Sequence, residues 1–187
     1  MGKDVWKIVE ALATEIPSKA ADTKPQELSN SLWAACALKD EAPDMLNDVL
    51  KMVETIATEI PKKAADMKPQ ELSNSLFASM RLNEAVSTEA ITALVRQAPA
   101  KIDDMKLQEV ANTLEALVSV QERREIHPEP EIFTKSAARL RLPDLRGDDL
   151  KFNAPMIVWA CARSKAADRK LLESVSRRYE SLWQEGL

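Results

Sequence analysis

Wound at about 100° per residue, the stretch after residue 24 separates into two faces. Leu28, Leu32, Ala35 and Cys36 share one, with Ser31 and Leu38 at its border, while Gln26, Ser29, Asn30, Trp33 and Ala37 lie opposite. The stripe predicts an amphipathic helix over 25–38 with an apolar packing seam. The segment Lys24-Pro25-Gln26-Glu27-Leu28-Ser29-Asn30-Ser31-Leu32 then recurs letter for letter at 68–76, and residues 13–34 and 57–78 differ only at Ser18/Lys62, Thr23/Met67 and Trp33/Phe77. The chain is therefore built from copies of one unit, which points to a repeat architecture.

Fainter copies keep the same columns at offsets of 44, 38 and 44 residues: Pro17, Pro61, Pro99 and Pro143; Asp22, Asp66, Asp104 and Asp148; Ala34, Ala78, Ala116 and Ala160. The column before the alanine holds Trp33, Phe77, Glu115 and Trp159. Each unit reads as two helices. The first starts at the proline of Lys-Pro-Gln-Glu, where a missing N–H costs nothing because first-turn donors lack intrahelical partners. Glu27, Glu71 and Glu109 then stand near the third helical position, suited to back-bonding. This predicts first helices over 25–38, 69–82, 107–120 and 151–164. Second helices are expected over 44–60, 88–98, 129–142 and 167–183, the first three ending at or near the proline column, since an interior proline removes a backbone bond and clashes with the preceding turn.

The expected fold is all-α: a right-handed α-solenoid of about four repeats of 38–44 residues, with about nine helices, forming one domain over 1–187. Its divisions are a partial repeat at 1–22, then 23–66, 67–104, 105–148 and 149–187. Asp4-Val5-Trp6-Lys7-Ile8-Val9 aligns with 48–53, so the chain opens inside a second helix whose own first helix is absent. Val5, Trp6 and Ile8 are accordingly expected to face a partner, or the chain to be a piece of a longer array.

Composition excludes several classes. The three glycines, Gly2, Gly147 and Gly186, form no phosphate-cradling loop. His127 is the only histidine and is expected in an exposed loop, so a catalytic dyad or histidine metal site lacks its parts. Cys36 and Cys161 read as small buried hydrophobes. The acidic pairs Asp103-Asp104 and Asp148-Asp149 precede first helices, where helix capping is the expected role. The expectation is a non-enzyme with no cofactor and no metal. No apolar run reaches the roughly 18 to 20 residues that span a bilayer, so no membrane insertion is expected. Met1-Gly2-Lys3-Asp4-Val5-Trp6 is not an import signal, so any such segment is expected to have been removed.

The face opposite the seam carries the candidate ligand residues: Gln26, Asn30 and Trp33 in the first repeat, Gln70, Asn74 and Phe77 in the second, Gln108 and Asn112 in the third. Amides beside aromatic rings read base edges and stack on bases. The alternative is structural: the aromatics fill the gap between repeats and the asparagines bond an adjacent turn, and their invariance across three copies leans towards that second role.

Lys24-Pro25-Gln26-Glu27-Leu28-Ser29-Asn30-Ser31-Leu32-Trp33-Ala34-Ala35 resembles the octotricopeptide-type repeats, related to the heptatricopeptide class, of organellar gene-expression factors, chloroplast translation factors among them. The resemblance spans nearly the whole chain, strongest in repeats one and two and loosest in repeat four, where Phe152-Asn153-Ala154-Pro155-Met156 stands in the motif. It implies antiparallel helix pairs stacked into a superhelix and, by family habit, binding of organellar single-stranded RNA, in a chloroplast more than a mitochondrion. Charge points elsewhere. The chain has 26 Lys and Arg against 30 Asp and Glu, and residues 121–187 hold 13 basic and 11 acidic side chains, leaving 1–120 with a net charge of −6. Phosphate binding favours a basic surface. Only the C-terminal part, with Arg139, Arg141, Arg146, Arg163, Lys165, Arg169, Lys170, Arg177 and Arg178, offers a phosphate stripe, and those residues equally suit solvated helix faces. Two functions therefore stand: an RNA-binding adaptor, and a protein-binding scaffold or peripheral subunit of a ribosome or photosynthetic complex.

Overall fold

The computed structural model describes residues 15, 18–41, 44, 46–140, 145–165, 169, 170, 173, 177, 180 and 181, and every regular element among them is helical. Contacts gather into two compact units, Met1–Gln97 and Ala98–Leu187. Val5, Trp6, Ile8, Pro17, Pro143, Arg141, Arg178 and most of the expected helix 167–183 lie outside the described residues.

In the first unit, α1 (Pro25–Glu41) is followed by α2 (Leu46–Ala57), α3 (Ile60–Lys63), α4 (Pro69–Leu82) and the opening turns of α5 (Thr88–Lys101). The first helices of successive repeats, α1 and α4, pack along one another, and α2 closes against α1. The core is the predicted stripe and its counterparts: Leu28, Leu32 and Ala35 of α1, Val49, Val53 and Ile56 of α2, and Leu72 and Leu76 of α4 are fully buried. Each such leucine or isoleucine contributes about 1.5–3 kcal/mol relative to an exposed position. In the second unit α6 (Leu107–Arg124) packs on α8 (Ala154–Arg163), with α7 (Glu131–Ala138) against α8. Val110, Leu114, Leu117, Phe133 and Ile157 form that core.

Helix entry follows the sequence closely. The Lys24 N–H donates to Glu27 Oε2 at 2.9 Å, Lys68 N–H to Glu71 Oε2 at 2.9 Å, and Lys106 N–H to Glu109 Oε2 at 3.0 Å. The glutamates thus satisfy an orphan donor at each start. Asp103 and Asp104, expected to cap, lie within a 3₁₀ turn, and the aspartate column ends such a turn three times, at Ala20–Asp22, Ala64–Asp66 and Ile102–Asp104. The next N–H (Thr23, Met67, Met105) bonds back to the first carbonyl of each turn at 3.2, 3.4 and 3.4 Å. Asp149 Oδ1 likewise accepts from Asn153 Nδ2 at 2.8 Å, within a π-helical turn.

A cation from further along the chain fastens these linkers. Lys63 Nζ donates to Ala21 O at 2.7 Å and to Thr23 O at 2.6 Å, gripping the turn before α1. In the second unit Arg139 donates to Ile102 O and Met105 O, gripping the turn before α6. Arg139 is therefore a structural clamp and not part of a phosphate stripe.

Three boundaries depart from expectation through proline. The helix expected over 44–60 breaks after Ala57: Pro61 has no N–H for the Ala57 carbonyl, so Thr58 and Glu59 close i−3 bonds and α3 restarts with Pro61 in its first turn. Pro99, by contrast, lies inside α5, which continues to Lys101 and so outruns the expected 88–98. Ala98 and Ile102, fully buried on either side of it, offset the missing bond. Pro155 in the first turn of α8 widens the preceding turn, so Ala154 N–H reaches back five residues to Asp149 O and the helix expected over 151–164 begins as a π turn, Asp149–Asn153.

Candidate functional site

Packing α4 beside α1 leaves two hollows in the first unit. A polar one of about 170 Å³ is lined by Gln26, Ser29, Asn30, Lys68, Gln70, Glu71 and Asn74. A second, of about 230 Å³, is lined by Trp33, Cys36, Ala37, Asp40, Phe77 and Arg81. The structure thus brings Gln26, Asn30, Gln70 and Asn74 together, with Trp33 and Phe77 further along the same pair of helices.

The asparagines do not make the inter-repeat bond that their invariance suggested. Among the described residues, the side chains of Gln26, Asn30, Gln70, Asn74, Gln108 and Asn112 hydrogen-bond to no protein group; Asn30 is exposed and Asn74 and Asn112 are half-buried. The bond between repeats comes from the neighbouring column instead: Ser29 Oγ donates to Glu71 O at 3.0 Å. Ser29, placed opposite the seam by its wheel position, is buried because α4 lies against that flank of α1. Cys36 Sγ donates to Ala78 O at 3.4 Å and Lys39 Nζ to Arg81 O at 2.8 Å, continuing the seam. With these three contacts holding the helices in register, the amides remain open to solvent or a ligand.

Trp33 and Phe77 touch, ring centroids 5.5 Å apart and planes tilted 34°, yet Trp33 keeps 44% of its surface exposed. The pair both fills the gap between repeats and presents an open ring face. Beside it Arg81 Nη2 pairs with Asp40 Oδ2 at 2.7 Å, both side chains about half exposed. Such a pair adds only about 0–1 kcal/mol to stability.

In the second unit Gln108 is exposed and Asn112 half-buried on α6, and Trp159 stands 45% exposed on α8. Phe152, in the column of Gln26, is 66% exposed. Arg163 Nε donates to Glu122 Oε1 at 2.9 Å, and Arg169 Nε to Glu173 Oε1 at 2.8 Å. Two cations of the expected phosphate stripe are thus matched by carboxylates; Lys170 is exposed.

The cysteines are chemically quiet. Burial pushes the Cys36 thiol up to about 11, with Arg81 pulling down and Asp40 pushing up more weakly. Burial alone pushes Cys161 up to about 11, and its Sγ donates to Phe133 O at 3.3 Å. Neither is a thiolate near neutral pH. His127 is exposed in the 125–130 segment. No helix among the described residues is long and apolar enough to cross a membrane. No family model, curated protein or solved structure matches the chain.

Proposed function

We propose that this chain is a non-catalytic, solenoid-type binding module of about four repeats, and that it holds single-stranded RNA along its amide and aromatic columns as an adaptor in organellar, foremost chloroplast, gene expression. The observation that carries this reading is the set of unpartnered amides, Gln26, Asn30, Gln70 and Asn74, lining one hollow, with the exposed ring of Trp33 further along the same pair of helices. Amide side chains both donate and accept, as base edges do, and an exposed indole is a stacking platform. The paired state of Arg163 and Arg169 makes this binding rest on stacking and amide contacts more than on phosphate neutralisation.

The second reading, a protein-binding scaffold, draws on the net charge of −6 over residues 1–120, which surrounds the same groove with carboxylates such as Glu71 and Asp40. Titrating the folded protein with single-stranded RNA while following tryptophan fluorescence separates the two. The RNA reading expects saturable quenching that Trp33→Ala weakens by the worth of one stacked base, about 1–3 kcal/mol. Quenching unaffected by that substitution removes Trp33 from the site.

A further inference from the structure

The carboxylate–arginine pair beside the aromatic column occurs twice, once in each unit. Glu122 and Arg163 each lie 82 positions after Asp40 and Arg81, so the two pairs occupy the same columns of the repeat. Both join neighbouring first helices: α1 to α4 through Asp40 and Arg81, α6 to α8 through Glu122 and Arg163. In each, the arginine stands one helical turn beyond an aromatic residue, Phe77 before Arg81 and Trp159 before Arg163, so ring and guanidinium share a face. The intervening repeat lacks the device, since Glu84 and Ser119 hold those columns.

We propose that Asp40–Arg81 beside Trp33 and Phe77, and Glu122–Arg163 beside Trp159, are two guanine-selecting subsites; this rests on the reading of the groove as an RNA site. A carboxylate only accepts hydrogen bonds and a guanidinium only donates. Set side by side they offer the order donor, acceptor, acceptor. Guanine presents the complement along its Watson–Crick edge, with O6 accepting and N1–H and N2–H donating. Adenine and cytosine place a donor where the arginine stands, and uracil ends its row on an acceptor, against the carboxylate. Trp33 and Phe77 already touch, so the base lies on the exposed face of Trp33 and not between the rings. The hollow lined by Trp33, Asp40, Phe77 and Arg81 opens onto that face. The exposure of both pairs leaves their remaining lone pairs and N–H groups accessible to such an edge.

The test compares oligouridylates carrying two guanosines with the same oligomers carrying two adenosines, together with an arginine-containing peptide, at physiological salt. The guanosine oligomer should bind about tenfold tighter, as expected for one bidentate contact that discriminates between bases. Asp40→Asn combined with Glu122→Gln, both isosteric changes at exposed positions, should bring it down to the level of the adenosine oligomer. Equal affinity of the two oligomers for the wild-type protein overturns the guanine assignment and leaves the RNA reading standing. No saturable binding of either oligomer overturns both. Saturable binding of the peptide alone moves the pairs to protein recognition, an arginine of the partner then filling the place of the base.

Discussion

At the residue scale, the division of labour between Ser29 and Asn30 decides what the groove is for. Their sequence positions gave no means of ranking them, because both are small polar residues repeated without change. The Ser29 hydroxyl reaches Glu71 O and is buried, whereas Asn30 and Asn74 carry no protein partner. Asn74→Ala should accordingly shift the denaturation midpoint by less than about 0.5 kcal/mol, as for a surface change away from structural contacts. Ser29→Ala should cost about 0.5–1.5 kcal/mol through its lost bond. A larger loss for Asn74→Ala than for Ser29→Ala would restore the structural role to the asparagines. The two thiols provide a pH signature. Their ordinary value of 9.0 rises to about 11 on folding, so the protons are held more tightly in the native state. Their stabilising contribution is complete below about pH 9 and is lost as pH rises through about 11. Alkylation by a thiolate-selective reagent near pH 8 should therefore be slow in the folded protein and fast once it is unfolded.

At the scale of the element, the starts of α1, α4 and α6 and the end of α4 were legible, while the start of α8 and the ends near Pro61 and Pro99 were not. Starts are set locally: Pro25 and Pro69 open their helices, and Glu27, Glu71 and Glu109 bond the entry N–H as their spacing implied. Ends depend on what packs around them. Pro61 breaks a helix while Pro99, in the same column, is carried through by the burial of Ala98 and Ile102. The two prolines should therefore respond oppositely to replacement. Pro99→Ala restores a bond to the Val95 carbonyl and should stabilise by about 1–3 kcal/mol. Pro61→Ala, at a helix start, should do little or destabilise slightly by freeing the unfolded chain. Calorimetric melting of the two variants checks this, and a lower melting temperature for Pro99→Ala would mean that the proline ring packs better than alanine by more than the bond is worth. The linker clamps were invisible in the sequence because they come from different columns: Lys63 lies two residues after its proline, Arg139 four before. Only the common target, the 3₁₀ turn before a first helix, shows that they do the same work.

At the scale of the whole molecule, the helical class was legible, because the columns kept in step at 38 to 44 residues accompany an amphipathic helical stripe, and every regular element among the described residues is helical. The distribution of charge was legible too, but its use was not. The positions of the arginines along the chain do not say which are matched by carboxylates, and in the structure Arg163 stands against Glu122 and Arg169 against Glu173. The expected salt dependence changes with it. Each phosphate neutralised on a single strand contributes a log–log slope of roughly −0.7, so binding that rests on stacking and amide contacts should show the equivalent of only one or two.

The most direct measurement is the affinity of the folded protein for labelled single-stranded RNA at low and at physiological salt, for the wild type and for Asn30→Ala combined with Asn74→Ala. The account predicts saturable binding at both salts, a shallow salt slope, and a loss of about tenfold or more in the double variant with its melting curve unchanged. Absence of saturable binding at either salt, or affinity indifferent to the two asparagines, would contradict the claim that the unpartnered amide column is the RNA-binding surface.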